Sequence, residues 1–357
     1  MYVQRKSKVH QRKSKHIPRS PLCQYGSHGG TLVVDPFAVA VSIVGGTKGG
    51  AIGYGGSLLV AGMVPNPPDG MTWTLGEFTN LFLSTLKSLS KDVVGFKSIA
   101  AYHSGLNINP LVTSEEADDG LHKDLHASVP IRIRNKSFVD YIFTCSLEVA
   151  ASSDLPMQIH IGFGDTDLDL RHANLLHLQP ILEDDHFKNC HIVLLHTSYP
   201  YSKEASYLSS VYPQVFLDFS LGIPKLSVYG MCSAIKELLE LAPLNKVMFN
   251  TDGYAFPETF YLGTKWAREV ITSVLLDACD GGDLSIQEAI ETTQKILRGN
   301  AINFYKLDED TTQIMKSKVV NVAADYHTQY LEMKEGTVHR LPKSLDEAVI
   351  ALKRMKF

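Results

Sequence analysis

From Met71 to Leu307, short apolar runs alternate with stretches in which apolar residues recur every three or four positions. The short runs predict buried strands and the three-to-four spacing predicts amphipathic helices. Five runs qualify as strands, at residues 92–99, 157–162, 191–196, 215–219 and 246–252. Leu75, Phe78, Phe82, Leu86 and Leu89 mark a helix over 74–90, and Phe138, Ile142, Cys145 and Val149 mark the next helix face. Further helices are expected up to Leu182, near Ala205, and along Met231, Ile235, Leu238 and Ala242, where Pro243 stops the pattern. Another spans Thr264–Cys279. Ser285-Ile-Gln-Glu288 is a capping box that opens a last helix, and Gly299 is placed to close it. Pro110–Arg134 is polar and reads as a long excursion between elements.

Strand–helix alternation predicts an α/β fold, with a parallel sheet joined by right-handed crossovers. An eight-unit βα barrel of about 250 residues allots roughly 31 residues to each unit. His160 and His196 are 36 residues apart, one such unit. His196 and Asp252 are 56 apart, two units, with the 215–219 strand between them. The expectation is therefore a TIM-type (β/α)8 barrel that is incomplete, with about five units recognisable.

Three of the strands end in the same way. Pro156-Met-Gln-Ile-His-Ile-Gly-Phe-Gly-Asp165, His191-Ile-Val-Leu-Leu-His196-Thr-Ser-Tyr-Pro200 and Lys246-Val-Met-Phe-Asn-Thr-Asp252-Gly-Tyr254 each place a titratable residue where an apolar run stops. Barrels of this type build active sites from the C-terminal ends of successive strands. Neutral imidazole and carboxylate suit a hydrolytic zinc or manganese ion, so His160, His196 and Asp252 are candidate ligands. Asp252 is also the candidate catalytic residue, taking a proton from metal-bound water and returning it to the leaving group. Lys97, at the end of an earlier strand, could bridge a second metal if carbamylated or bind a substrate carboxylate. His103, Tyr199, Tyr254 and Asp165 are candidates for substrate contact. One histidine at a strand end is more often an ordinary polar residue, and Asp252-Gly253 alone could be a turn. Three in consecutive phase make the ligand reading the better one. His122/His126 and His172/His177 lie in polar stretches and read as solvated.

Composition narrows the class. The chain has 357 residues and a net charge of -4, which gives neither nucleic acid nor an acidic membrane as a default partner. Its five cysteines (Cys23, Cys145, Cys190, Cys232 and Cys279) form no CxxC pair and fit a reducing, cytoplasmic setting. No apolar stretch is long enough to span a bilayer, and the basic start is not followed by a secretory h-region. Gln4-Arg-Lys-Ser-Lys8 and Gln11-Arg-Lys-Ser-Lys15 form a tandem basic repeat, read as a solvated tail. Gly45-Gly-Thr-Lys-Gly-Gly50 lacks the Lys-Ser/Thr and helix start of a phosphate loop and reads as linker.

Five segments carry a resemblance to a known family: Val93-Val-Gly-Phe-Lys-Ser-Ile-Ala-Ala-Tyr102, Gln158–Asp165, Leu194-Leu-His-Thr-Ser-Tyr-Pro200, Ser202–Val215 and Phe249-Asn-Thr-Asp-Gly-Tyr254. They resemble the amidohydrolase superfamily, in the branch fused to glutamine synthetase in plant nodulin-like and fungal FluG-like proteins. The resemblance implies a metal-dependent barrel with His160 on strand five, His196 on strand six and Asp252 on strand eight. It also implies a divalent metal, most readily zinc or else manganese, and a small-molecule substrate. The superfamily's His-x-His pair is absent from this sequence. Residues 1–70 stand where strands one to three belong and read as a basic, glycine-rich segment without regular structure. The barrel domain is set at 71–307. Residues 308–357 read as a linker and remnant, with Arg340–Lys353 similar to the final helix region of glutamine synthetase. Two functions follow: a metal-dependent hydrolase, or a truncated, catalytically impaired scaffold associating with full-length glutamine synthetase-fused relatives. A homo-oligomer is expected in either case.

Overall fold

Thr74 opens the first helix with a reciprocal capping box: its hydroxyl accepts from the Glu77 N–H, and the Glu77 carboxylate accepts from the Thr74 N–H. The fold that follows is that of a computed structural model, which describes residues 73–91, 93–127, 133–253 and 257–307, with the backbone of 41–44 and 58–59. The tandem basic repeat, Gly45–Gly50, Tyr254 and everything from 308 onward, including Arg340–Lys353, lie outside the described residues.

In chain order the elements are β1 (Val41–Val44), β2 (Leu58–Leu59), α1 (Leu75–Leu89), β3 (Gly95–Ser98), α2 (Ser114–Ala127), α3 (Lys136–Ser152), β4 (Met157–Ile159), α4 (Gln179–Glu183) and β5 (Ile192–Leu194). Then come α5 (Ser202–Val211), β6 (Val215–Asp218), the single turn α6 (Gly222–Lys225), α7 (Val228–Leu239), β7 (Val247–Met248), α8 (Pro257–Gly281), α9 (Ile286–Gln294) and α10 (Asn300–Phe304). Strands β3 to β7 pair in parallel and in sequence order, with β3 as the first of the five expected strands and β7 as the last. Among the described residues the sheet does not close, so the architecture is an incomplete TIM-type barrel.

Alternation along the strands sorts side chains onto two faces. Phe96, Met157, Ile192 and Val215 lie in register on one face and join the main core under the helices. Lys97, Gln158, Val193 and Phe216 lie in register on the other. Closure would turn one face of every strand toward the barrel axis. Here a smaller apolar cluster of Val193, Leu195 and Met248 is covered by Phe304 and Tyr305 from the end of α10. Gln158 donates to the Tyr305 hydroxyl at 2.7 Å, and the Asn300 amide ties α10 to the Val247 carbonyl at 2.7 Å.

Several expectations need correction. The polar excursion at Pro110–Arg134 contains α2, opened by Thr113 and Glu116. Its buried stripe of Ala117, Gly120, Leu121 and Asp124 is small and partly polar, which hid it among charged neighbours. Gly120 is needed there, since a Cβ would run into the Asn135 side chain that caps α3. The glycine-rich segment, given no strand from sequence, supplies β1 and β2, both antiparallel; Val41, Ile43 and Val44 are β-branched, and the segment pairs with the edge of β3. Gly299 does not end a helix: its backbone stays helical and the chain runs through a π turn into α10. The Ser285–Glu288 capping box is present as expected. No helix among the described residues is long and apolar enough to cross a membrane.

Candidate active site at the strand ends

His160 continues the β4 ladder by donating its N–H to the Ser98 carbonyl at 3.0 Å. The turn after it depends on two glycines. Gly162 has φ +71°, and a Cβ there would overlap the Tyr199 carbonyl oxygen. A Cβ on Gly164 would overlap the Tyr102 hydroxyl and stand 3.0 Å from His160 Nε2. Tyr102 therefore packs its ring on His160, with centroids 4.6 Å apart, and its hydroxyl accepts from the Asp165 N–H at 3.2 Å. His160 Nε2 is buried with no hydrogen-bond partner, whereas buried polar atoms are ordinarily paired.

The end of β5 is built differently. His196, Thr197 and Ser198 have φ of 67°, 59° and 51°, three successive non-glycine residues in left-handed backbone. Each costs about 1–2 kcal/mol, so the surroundings must hold the turn in place. They do: Thr197 Oγ1 donates to the Ser220 carbonyl at 3.1 Å, Ser202 Oγ donates to the Thr197 carbonyl at 3.0 Å, and Gly222 leaves room for the Thr197 hydroxyl. The turn brings the His196 ring to 4.5 Å from that of His160, with His196 Nδ1 at 3.1 Å from Ser220 Oγ. Beyond β7, the Asp252 N–H donates to Asn250 Oδ1 at 2.7 Å, Asp252 takes φ 46°, and its Oδ2 stands 4.0 Å from His196 Nδ1.

Electrostatics sharpen what these groups can do. Burial, with Lys97 adding to it, pushes His160 down to about 3. Burial also holds His196 well below the ordinary histidine range, reinforced by His160, Lys97 and Lys225. Both rings are neutral at physiological pH, so the 4.0 Å approach of Asp252 is not an ion pair. Burial raises Asp252, opposed by Lys97 and Lys225. Two neutral imidazoles and a carboxylate are the donor types that a divalent ion takes. They fit one as a partial set, because among the described residues no three His, Cys, Asp or Glu side chains are arranged to hold an ion together.

Of the residues singled out from sequence, His160, His196 and Asp252 come together, and the charge of Lys97 is felt by all three. Asp165 borders the group through Tyr102. His103 turns its Nδ1 toward the Ile133 carbonyl at 2.8 Å, and Tyr199 is 37% exposed with its ring edge against Phe163. His122, His126 and His172 reach solvent, as expected. Sequence reasoning missed Tyr102, Asp218, Ser220, Lys225 and Asn250. Asp218 had a visible signal, since it too ends an apolar strand with an acid.

Comparison with known proteins bears on this geometry. Residues 105–307 match the amidohydrolase family. Protein fluG of Emericella nidulans is 33% identical over 228 residues, covering 61% of this chain and 26% of that protein. A candidate metal-dependent hydrolase from Lactobacillus casei superposes with a TM-score of 0.59 at 29% identity, over 65% of this chain and 60% of its own. The uronate isomerase of Thermotoga maritima shares the fold, with a TM-score of 0.51 at 15% identity over 65% of this chain and 54% of that one. The chain thus spans about a quarter of the Emericella protein's length and 60% of the Lactobacillus one.

Proposed function

The chain belongs to the amidohydrolase family, and from that premise we propose that it cleaves a C–N bond, or performs a related cleavage, in a small-molecule substrate by metal-dependent hydrolysis. The observation that carries the reading is the pair of buried, neutral imidazoles 4.5 Å apart, one with an unpartnered Nε2 and the other 4.0 Å from a carboxylate. His160, His196 and Asp252 would contribute part of the ligand set for the metal, zinc or manganese by donor chemistry. A bound ion would make water acidic enough to act as a nucleophile at neutral pH. Asp252, raised by burial, would take a proton from the attacking water and pass it to the leaving group. Lys97 and Lys225 give the same space a positive field that draws an anionic group on the substrate. Lys97 could instead bridge a second metal if carbamylated. His103 and Tyr199 would line the approach in this reading, and Tyr254 stays a sequence expectation outside the described residues.

A cytoplasmic setting accompanies it: Cys145, Cys190, Cys232 and Cys279 are all free thiols. A second reading, a catalytically impaired scaffold that associates with its own kind or with longer relatives, is favoured by the partial donor set and by the open sheet, where β7 stands at one edge. Metal content decides between them. Purified chain is expected to retain more zinc or manganese than His196→Ala prepared alongside it; equal content in the two would remove the hydrolase reading.

A further inference from the structure

Asp218 closes β6 with a side chain only 5% exposed, and both its oxygens face donors. Oδ1 accepts from the Ser220 N–H at 2.9 Å, and Oδ2 accepts from Asn250 Nδ2 at 2.5 Å. Each partner reaches one of the candidate ligands. Ser220 Oγ lies 3.1 Å from His196 Nδ1. Asn250 Oδ1 accepts from the Asp252 N–H at 2.7 Å, across the residue whose φ is 46°.

We propose that Asp218 is the positioning residue of this site, one buried carboxylate that sets His196 through Ser220 and Asp252 through Asn250. Its functional consequence rests on the ligand reading of those two residues; the placement itself does not. The chemistry explains why an acid stands there. An asparagine has the same shape and avoids the cost of burying a charge, yet it offers one acceptor oxygen where two donors converge. Only a carboxylate accepts from both. Asn250 then acts as an adaptor, its amide N–H₂ toward Asp218 and its oxygen toward Asp252. Burial pushes Asp218 up to about 6, the mark of a charge held against solvation.

The polarity of this chain of hydrogen bonds can be reversed without changing its shape. In Asp218→Asn, an amide N–H₂ meets a donor, and either the Ser220 or the Asn250 arm is lost. In Asn250→Asp, carboxylate faces carboxylate. In the double variant Asp218→Asn/Asn250→Asp, the new amide donates to the new carboxylate, which still accepts from Asp252. The readout is NMR of the metal-free full chain labelled at aspartate nitrogen and histidine ring nitrogen, beside thermal midpoints. Each single variant is expected to displace the Asp252 amide or the His196 ring signals, and the double variant to return both to their wild-type positions. Zinc titration should follow, with affinity about 10–100-fold weaker in the singles and restored in the double. A double variant that folds yet leaves both signals displaced overturns the proposal, as does an Asp218→Asn that moves neither. Should Asp218→Asn not fold, the double variant against Asn250→Asp gives the same decision. Because the NMR arm contains no metal, a chain that binds no zinc contradicts the hydrolase reading and leaves the positioning of His196 and Asp252 by Asp218 decided separately.

Discussion

In the middle of β5, Ile192, Val193 and Leu194 are buried in regular extended backbone and touch apolar neighbours on both sides of the sheet. Two residues further on, His196, Thr197 and Ser198 are as deeply buried, but they are polar and in left-handed backbone. The same strand thus passes from regular, apolar extended structure to a strained, polar turn. His160 and Asp252 repeat the change at the ends of β4 and β7, one with an orphaned nitrogen and the other with positive φ. Strain and unpaired polar atoms persist only where the surroundings over-determine them. The body of the sheet supplies that constraint, and the strand ends use it.

If the body carries the stability, its removal should have the largest effect. Phe138 is fully buried on α3 with Phe78 edge-on at 5.3 Å. Phe138→Ala is expected to lose about 3–5 kcal/mol in urea unfolding, enough to leave a marginal domain partly unfolded. A loss below about 1 kcal/mol would place the core elsewhere.

The strand ends should respond to pH. Burial pushes His160 down to about 3 in the folded chain, from an ordinary value of 6.5. The unfolded state therefore takes up the proton first, so this contribution is complete above 6.5 and is lost as pH falls toward 3. His160→Gln lacks that slope. In chelator-treated protein, the stability of wild type relative to His160→Gln should fall by about 2 kcal/mol between pH 7 and pH 5. A constant difference would mean that the ring is not buried neutral. Asp218 acts in the opposite sense, its raised value favouring the folded state as pH falls below about 6, but it is common to both proteins and drops out of the comparison.

The smallest effect should be a gain. Ser198 combines φ 51° with a buried hydroxyl that has no hydrogen-bond partner. Ser198→Gly releases both, and is expected to raise stability by up to about 1 kcal/mol, whereas Ser198→Ala keeps the strain. A destabilised glycine variant would show that the turn is not strained at that residue.

The two regions were also unequally legible in the sequence. Apolar runs located β3 to β7 within a few residues, and the Ser285–Glu288 capping box named itself, because these features are local. His160, His196 and Asp252 could be picked out by chemistry at the ends of such runs. What tied them together could not. The link from Asp218 to Ser220 and Asn250 depends on β5, β6 and β7 lying side by side, and nothing in His196-Thr-Ser198 announces positive φ. Helix α2 was missed for the opposite reason: its buried stripe is too small and too polar to stand out from a charged surface.

On the function proposed above, the ends of β4, β5 and β7 contribute His160, His196 and Asp252 to a divalent-ion site that these residues supply only in part. Cobalt, which takes zinc's ligands and has visible absorption that depends on them, tests it in one titration of the metal-free chain. Cobalt is expected to develop a bound-state spectrum, and His160→Gln, His196→Ala and Asp252→Asn each to diminish it while retaining the wild-type fold. A spectrum that all three variants leave unchanged, or a chain that binds no cobalt, would contradict it.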